Sequence, residues 1–380
     1  MKILYLDLNI QYHNPTRNNI VLLLKSIGEL YCYGLGYQSN SILEDGVDKF
    51  YETNGPFDFI ITNEHIVFGS QNIKAYKRNY YFQFNNIDIE KNVIELNEFF
   101  HKSSSNKIVF LLESDYYNFK KERIDRLISC NPYIIGFGES LISSIDELED
   151  LKKESFGDKA NDNWFNFVKQ NSKIIELPHF VNSNEFYFET LSNRKNIIYI
   201  AGTNYYHRKM VMDSIKKSNY KTDNIKIYNK IYSLMRKIHL KPDSHPILMR
   251  LYNTLFRNEI EHSKYTFTCG SALNWPIRKF FEIPTMGSLL FAKPFKNADK
   301  LGFIDNKTYI KSNHKNIIEK IDFFEKNPKV AQEIATNGQN MIWKNHSLDA
   351  RVKQLKEVFK AILIKKYNSS YWNNGEFYVK

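Results

Sequence analysis

At 380 residues the chain is long enough for two domains of roughly 150–200 residues each. Its 42% hydrophobic and 25% charged residues exclude intrinsic disorder. A formal charge of +11, from 53 basic and 42 acidic residues, favours an acidic partner (nucleotide phosphates, nucleic acid or an anionic membrane face), but no long basic run marks a dedicated nucleic-acid arm.

Cys32, Cys130 and Cys269 stand far apart and form no C-x-x-C pair, so neither a zinc site nor a disulfide framework is expected. No segment has the apolar length to span a bilayer, and the N-terminus reads as a strand with no signal peptide. The expectation is a cytoplasmic protein that meets a membrane only peripherally.

Residues 2–8 form a short apolar run that reads as the buried first strand of a parallel sheet. A polar loop over 9–18, with His13 and Arg17, leads into helical spacing over 19–30, where Ile20, Leu23, Leu24, Ile27 and Leu30 recur. Further strand patterns lie at 30–34, 57–62, 107–112, 132–137 and 174–177. Three of them run into polar ends: Asn63 and Glu64, then Glu113 and Asp115, then Glu139. Strands alternating with helical patterns indicate an α/β, doubly wound parallel sheet. In such sheets ligands bind beyond the carboxyl ends of the strands, so these loop residues are better placed for chemistry than core residues. Each is also compatible with an ordinary capping or surface role.

The composition shifts between 155 and 196, and a domain boundary is placed at 183/184. A new strand at 196–201 ends in Gly202-Thr203-Asn204, and a helix over 205–217 carries His207 and Arg208 in its first turn. A strand, a glycine turn and a helix N-terminus make an anion site, because free backbone N–H groups point at the ligand. The lone glycine falls short of G-x-G-x-x-G. Strand patterns follow at 225–228, 264–269, 288–292 and 309–310, with a helix at 316–325. Another helix starts at the Asn327 cap with Pro328 and is expected to end near Gly338; a last helix over 346–364 precedes a tail.

The stretch 277–287, Ile-Arg-Lys-Phe-Phe-Glu-Ile-Pro-Thr-Met-Gly, reads as a short helix entering a buried strand. Glu282 suits a vicinal diol, because a carboxylate accepts two hydrogen bonds. Arg278, one turn earlier, suits a phosphate through its planar charged fork. Gly287 lets the chain turn where a Cβ would collide. The alternative is that Arg278 and Glu282 form an ordinary i,i+4 surface pair.

These residues resemble the C-terminal domain of GT-B glycosyltransferases, closest to the group 1 (family 4-like) transferases and their CgeB spore-maturation relatives. Residues 278–287 are similar to the R-x-F-E-x-x-x-x-G segment of that family. Asn327-Pro328 through Ile334-Ala335-Thr336-Asn337-Gly338 is similar to its N-P…I-A-x-x-G helix, and His346-Ser347-Leu348-Asp349-Ala350-Arg351 to the start of its last helix. Ala201-Gly202 with Arg208 is similar to its opening turn. The likeness covers roughly 196–359, whereas the N-terminal half matches only as a strand–helix alternation.

The resemblance implies two Rossmann-like domains facing a central cleft: 1–183 for the acceptor, 184–346 for the nucleotide sugar, and 347–380 crossing back. It implies that Glu282 binds the ribose diol, that Arg208 and Arg278 bind the diphosphate, and that Gly202 and Thr203 cradle it. Asn274 and Gly287 complete this donor set. No cofactor and no metal are expected, since arginines and helix N-termini would neutralise the leaving diphosphate. Many retaining members carry a glutamate where Asn274 stands, eight residues before Glu282, which puts retention in question. An inverting reaction would need a general base, with Asp115, Glu113, Glu139 and His13 as candidates. The expected acceptor is a glycan or lipid-linked glycan of the lipopolysaccharide, capsule or glycoprotein type. Two alternatives remain: a phage-type transferase acting on DNA bases, with steep salt dependence, and an inactive GT-B module that binds a glycan or scaffolds a complex.

Overall fold

The computed structural model describes residues 1–10, 15–69, 83–111, 120–148, 161–203, 205–220 and 245–380, with a few single residues between. Two parallel sheets organise it.

The first sheet has the order β2-β1-β3-β4-β5-β6. Its strands are β1 Lys2–Leu6, β2 Glu29–Tyr33, β3 Phe59–Asn63, β4 Asn106–Phe110, β5 Tyr133–Gly136 and β6 Ile174–Glu176. All neighbours are parallel. Such strands must be apolar on both faces because helices cover both. Leu4, Phe59, Ile60, Ile61, Ile108 and Ile134 accordingly expose nothing. The connecting helices are α1 Pro15–Ile27, α2 Asn40–Asn54, α3 Glu64–Phe68, α4 Asn86–Lys102, α5 Lys121–Cys130 and α6 Asn163–Gln170.

The second sheet has the order β10-β9-β8-β7, again parallel, from β7 Asn196–Ile200, β8 Ser263–Cys269, β9 Leu289–Lys293 and β10 Ile310–Lys311. Around it lie α7 Tyr206–Lys216, α8 Pro246–Glu261, α9 Lys279–Thr285, α10 Ile317–Lys326 and α11 Pro328–His346. The last helix, α12 Leu348–Leu363, leaves this domain and packs on α1. Phe359 on α12 stacks on Phe59 of β3 with ring centroids 4.4 Å apart. Burying a phenylalanine fully contributes about 1.5–3 kcal/mol, so this crossing is an apolar anchor between the halves. The linker reinforces it: Val181 N–H donates to the His346 carbonyl (3.1 Å), and Leu348 N–H donates to the Val181 carbonyl (2.8 Å).

Three differences from the sequence reading have physical causes. The first helix starts at Pro15, since proline suits a first helical position, so Arg17 is helical and reaches the buried Asp7 at 3.0 Å. Helix α11 runs past Gly338 to His346; the glycine serves packing, because a Cβ there would meet the Thr308 carbonyl oxygen at 2.4 Å. The tail is a hairpin of β11 Ser370–Asn373 and β12 Glu376–Val379. Trp372 on it is 2% exposed, and its indole N–H donates to the Glu176 carbonyl at 2.6 Å. The strand expected at 225–228 lies outside the described residues.

Candidate active-site cleft

A cleft of about 340 Å³ opens between the carboxyl ends of the two sheets. That is where a doubly wound fold exposes loop residues rather than core. The N-terminal wall comes from α1 (Thr16, Ile20, Leu23), the ends of β4 and β5 (Phe110, Leu111, Ile135, Phe137) and the segment after β6 (Leu177 to Phe180). The opposite wall carries Thr203, Tyr205, Arg208, Ser271, Arg278 and Lys279, and α12 adds Arg351.

The Gly202–Thr203 turn sits where the sequence placed it. Gly202 has φ +102, and a Cβ there would lie 2.6 Å from Lys279 Cε and 3.0 Å from Arg208 Nη1. The glycine is therefore required twice, by the backbone conformation and by two basic side chains laid against the turn. Arg208 is 1% exposed. Its Nη1 donates to the Thr203 carbonyl at 2.7 Å, and its Nη2 to the Cys269 carbonyl at 2.8 Å and Thr268 Oγ1 at 3.1 Å. It lines the cleft as a fixed positive charge and braces the turn.

Arg278 lines the same wall, but its guanidinium is engaged elsewhere. Nε donates to Glu282 Oε1 at 2.6 Å, Nη1 to the Phe180 carbonyl at 2.8 Å, and Nη2 to Glu185. The diphosphate role expected of it is corrected accordingly: its fork already grips two carboxylates. Burial disfavours its charge, but Glu185 and Glu282 more than offset that and raise its pKa. Burial also works against the Glu185 carboxylate, yet Arg278 and the Asn182 N–H hold it below the usual range. The i,i+4 pairing is thus real, though the side chains of Arg278 and Glu282 are only 11% and 10% exposed, so it is no surface pair. Glu185, which the sequence reading missed, ties the cluster to the N-terminal domain: its Oε1 accepts from Asn19 Nδ2 of α1 at 3.1 Å. The one signal for it was the Asn182…Glu185 capping box.

Lys279, which the sequence reading passed over, also lines the cleft. Among the described residues its ammonium has no hydrogen bond or ion pair; it lies 5.3 Å from the Phe256 ring centroid and faces the cleft. Burial lowers its pKa, Glu282 partly restores it, and Arg208 and Arg278 lower it further.

His179 stands at the seam of the two walls, with its ring centroid 6.0 Å from that of Phe137 and 6.5 Å from that of Phe281. Burial, then Arg278, Lys279 and Arg351, push its imidazole down to about 3, so it is neutral at physiological pH. Arg351 donates to the His179 carbonyl and to His346 Nδ1, each at 3.3 Å. His346 Nε2–H donates to the Leu301 carbonyl at 2.8 Å, which fixes the neutral tautomer.

The remaining expected residues fall elsewhere. Glu282 is 8% exposed on the first turn of α9, behind Arg278. Asn274 takes the left-handed conformation (φ 54) that closes the short helical turn Ser271–Leu273, away from the cleft lining. Gly287, at φ +70, serves packing: a Cβ would lie 2.6 Å from Arg194 Nη2. Arg194 there donates to the carbonyls of Ile260, Ser263, Glu189 and Met286. Gly287 therefore makes room for a structural arginine. Asn63 caps α3, its Oδ1 accepting from His65 N–H at 3.0 Å, while Glu64 is buried and Glu139 is exposed. His13, Glu113 and Asp115 lie outside the described residues. Among the described residues, no helix is long and apolar enough to cross a membrane.

Residues 185–357 match the family described as glycosyl transferase-like. Among solved structures, the chain is similar to HepE from Anabaena in complex with UDP, at 11% identity and TM-score 0.52, covering 95% of this chain and 100% of that one. It is similar to a glycosyltransferase from Rickettsia africae ESF-5 at 13% identity and TM-score 0.52, covering 95% and 98%. It is similar, too, to sucrose-phosphate synthase from Thermosynechococcus elongatus at 10% identity and TM-score 0.51, covering 96% and 99%. No curated protein matches the chain. The two-domain fold runs through almost the whole length of each of these structures, and the family match falls on the domain that carries the glycine turn and α9. The chain has the two-domain GT-B fold, and its C-terminal domain matches a glycosyl transferase-like family.

Proposed function

We propose that this enzyme transfers a sugar from a uridine diphosphate-linked donor to a hydroxyl of a glycan-type acceptor, without a metal ion. HepE, with which the fold is shared, has been solved with UDP-glucose. The observation that carries the reading is Lys279: an ammonium with no partner among the described residues, beside the Gly202 turn and the start of α7, inside the cleft. A partly buried cation that no carboxylate pairs among the described residues is costly, and a diphosphate would supply a counter-ion. At an effective dielectric of 20, a unit charge 4 Å away interacts with it by about 4 kcal/mol. The N-terminus of α7 adds its dipole and free N–H groups. Together with the fixed charge of Arg208, these groups take the place of a metal at the leaving diphosphate.

In the same reading Glu282 offers its second oxygen to the ribose diol. The bond from the anomeric carbon to the diphosphate oxygen breaks, and the acceptor oxygen takes its place. The acceptor proton goes to a base from the N-terminal loops that carry His13, Glu113 and Asp115. The reading places the enzyme in the cytoplasm, where nucleotide sugars are found, building a surface glycan.

Thermal melting with UDP, GDP, CMP and their sugars tests it. A ligand at 100 times its Kd stabilises the fold by about 2.7 kcal/mol, a clear rise in Tm. UDP should give that rise with the intact enzyme and a much smaller one with Lys279→Gln. If no nucleotide raises Tm, the inactive glycan-binding module replaces the transferase.

A further inference from the structure

The two walls of the cleft differ in chemistry. The C-terminal wall holds the cations and hydroxyls that suit a diphosphate. The N-terminal wall, where the proposed function places the acceptor, is built from Ile20, Leu23, Phe110, Leu111, Ile135 and Phe137, continued by Leu177 and Phe180. Among the described residues, its only polar side chains are Thr16 and His179. Among the described residues the apolar character follows from the fold: α1 turns Ile20 and Leu23 toward the cleft, and β4 and β5 bring Phe110, Leu111, Ile135 and Phe137 to it.

A bare sugar fits such a wall poorly. Each of its hydroxyls gives up water on entry, and a hydroxyl left without a partner is penalised. Binding sites of this kind take an apolar body and orient it by a few polar groups. We infer that the acceptor carries an apolar group, aryl or short alkyl, which fills the N-terminal half of the cleft and brings the reacting hydroxyl to the seam at His179. This rests on the proposed transfer reaction for the word acceptor; the apolar subsite itself rests on the wall.

The test measures binding of methyl, hexyl and phenyl β-glucosides by calorimetry, with UDP binding followed in parallel. Removing apolar surface from water favours the longer chain and the ring, so hexyl and phenyl glucosides should bind at least tenfold tighter than methyl. Leu111→Asn, at a partly exposed position on the wall, should abolish that preference and leave the UDP-induced rise in Tm. Should that variant fail to fold, Thr16→Phe, which fills the same half of the cleft, should block the hexyl and phenyl glucosides. Phe188→Ser controls for surface adhesion: Phe188 is 71% exposed beside Trp343, and this change should alter nothing. Equal binding of the three glucosides overturns the inference. A preference that follows Phe188 rather than Leu111 overturns it as well. If UDP fails to bind while the preference and its loss in Leu111→Asn persist, the transferase reading falls and the apolar subsite stands.

Discussion

Replacing Lys279 with methionine should weaken nucleotide binding while leaving the empty protein as stable as before or more so. Methionine keeps an unbranched stem but carries no charge. In the folded protein burial depresses the pKa of Lys279, and Arg208 and Arg278 add to the effect against the pull of Glu282. The unfolded chain therefore binds the lysine proton more tightly than the folded one. That linkage opposes folding at any pH where the unfolded lysine is charged, and methionine removes it. The nucleotide reverses the balance. A hydrogen bond between an ammonium and a phosphate contributes about 1.5–3 kcal/mol, so Lys279→Met should raise the Kd for UDP by roughly 10- to 150-fold. The neighbouring Arg278→Met should do the opposite to the fold. It leaves Glu185 and Glu282 buried without their cation, and breaking such a cluster costs about 3–5 kcal/mol. Calorimetric titration with UDP and chemical unfolding of both variants decide the matter. The reasoning fails if Lys279→Met binds UDP within threefold of the unaltered enzyme, or if it unfolds more readily than Arg278→Met.

Acid should weaken the fold through His346, which is fully buried and held down to about 3 by burial and by Arg351. Because the folded pKa lies below the unfolded value near 6.5, this contribution is intact above pH 6.5 and declines toward pH 3. The decline reaches about 2 kcal/mol at pH 5, and urea midpoints should fall more between pH 7 and 5 in the unaltered protein than in His346→Gln. Gly287→Ala places a Cβ 2.6 Å from Arg194 Nη2 at φ +70, so unfolding should become easier by about 2 kcal/mol or more, with the Kd for UDP unchanged in the folded fraction. Trp372→Ala should lower stability by about 3–5 kcal/mol in thermal or urea unfolding, whereas Trp372→Phe, which loses the bond to the Glu176 carbonyl and part of the buried ring, should cost less, about 1–3 kcal/mol.

The strands of both sheets were legible because each is a short apolar run ending in turn residues, and the described ones lie within one or two residues of those runs. The Gly202 turn was legible for the same reason. What could not be read was the direction of a side chain. Arg278 and Lys279 are adjacent basic residues, and the sequence favoured the arginine for phosphate because its fork is the better ligand. The structure turns the arginine toward the linker and leaves the lysine in the cleft. Nor does spacing reveal that Gly287 yields space to Arg194, which lies 93 residues away in the chain, or that Glu185 meets Arg278 and, on the other domain, Asn19. Such partners depend on which segments tertiary packing brings together, and a local pattern does not encode that.

The division of labour at the start of α9 has a structural reason. Successive residues on a helix are offset by about 100°, so an adjacent pair faces two directions. One direction leads to the hinge, where Arg278 holds the Phe180 carbonyl and Glu185, and Glu185 holds Asn19 on α1. The other leads into the cleft. Glu282, one turn on, has its Oε1 on Arg278 and in the proposed reading offers its other oxygen to the ribose. A ligand that draws on the Glu282 carboxylate thus competes with Arg278 for it. Any loosening of that pair acts on the segment that joins the domains. Glu282→Gln separates the two effects: the amide keeps the shape and a hydrogen-bond acceptor but drops the charge. It should weaken the Arg278 pair and UDP binding together, whereas Glu185→Gln should weaken the hinge and leave the UDP contacts as they are.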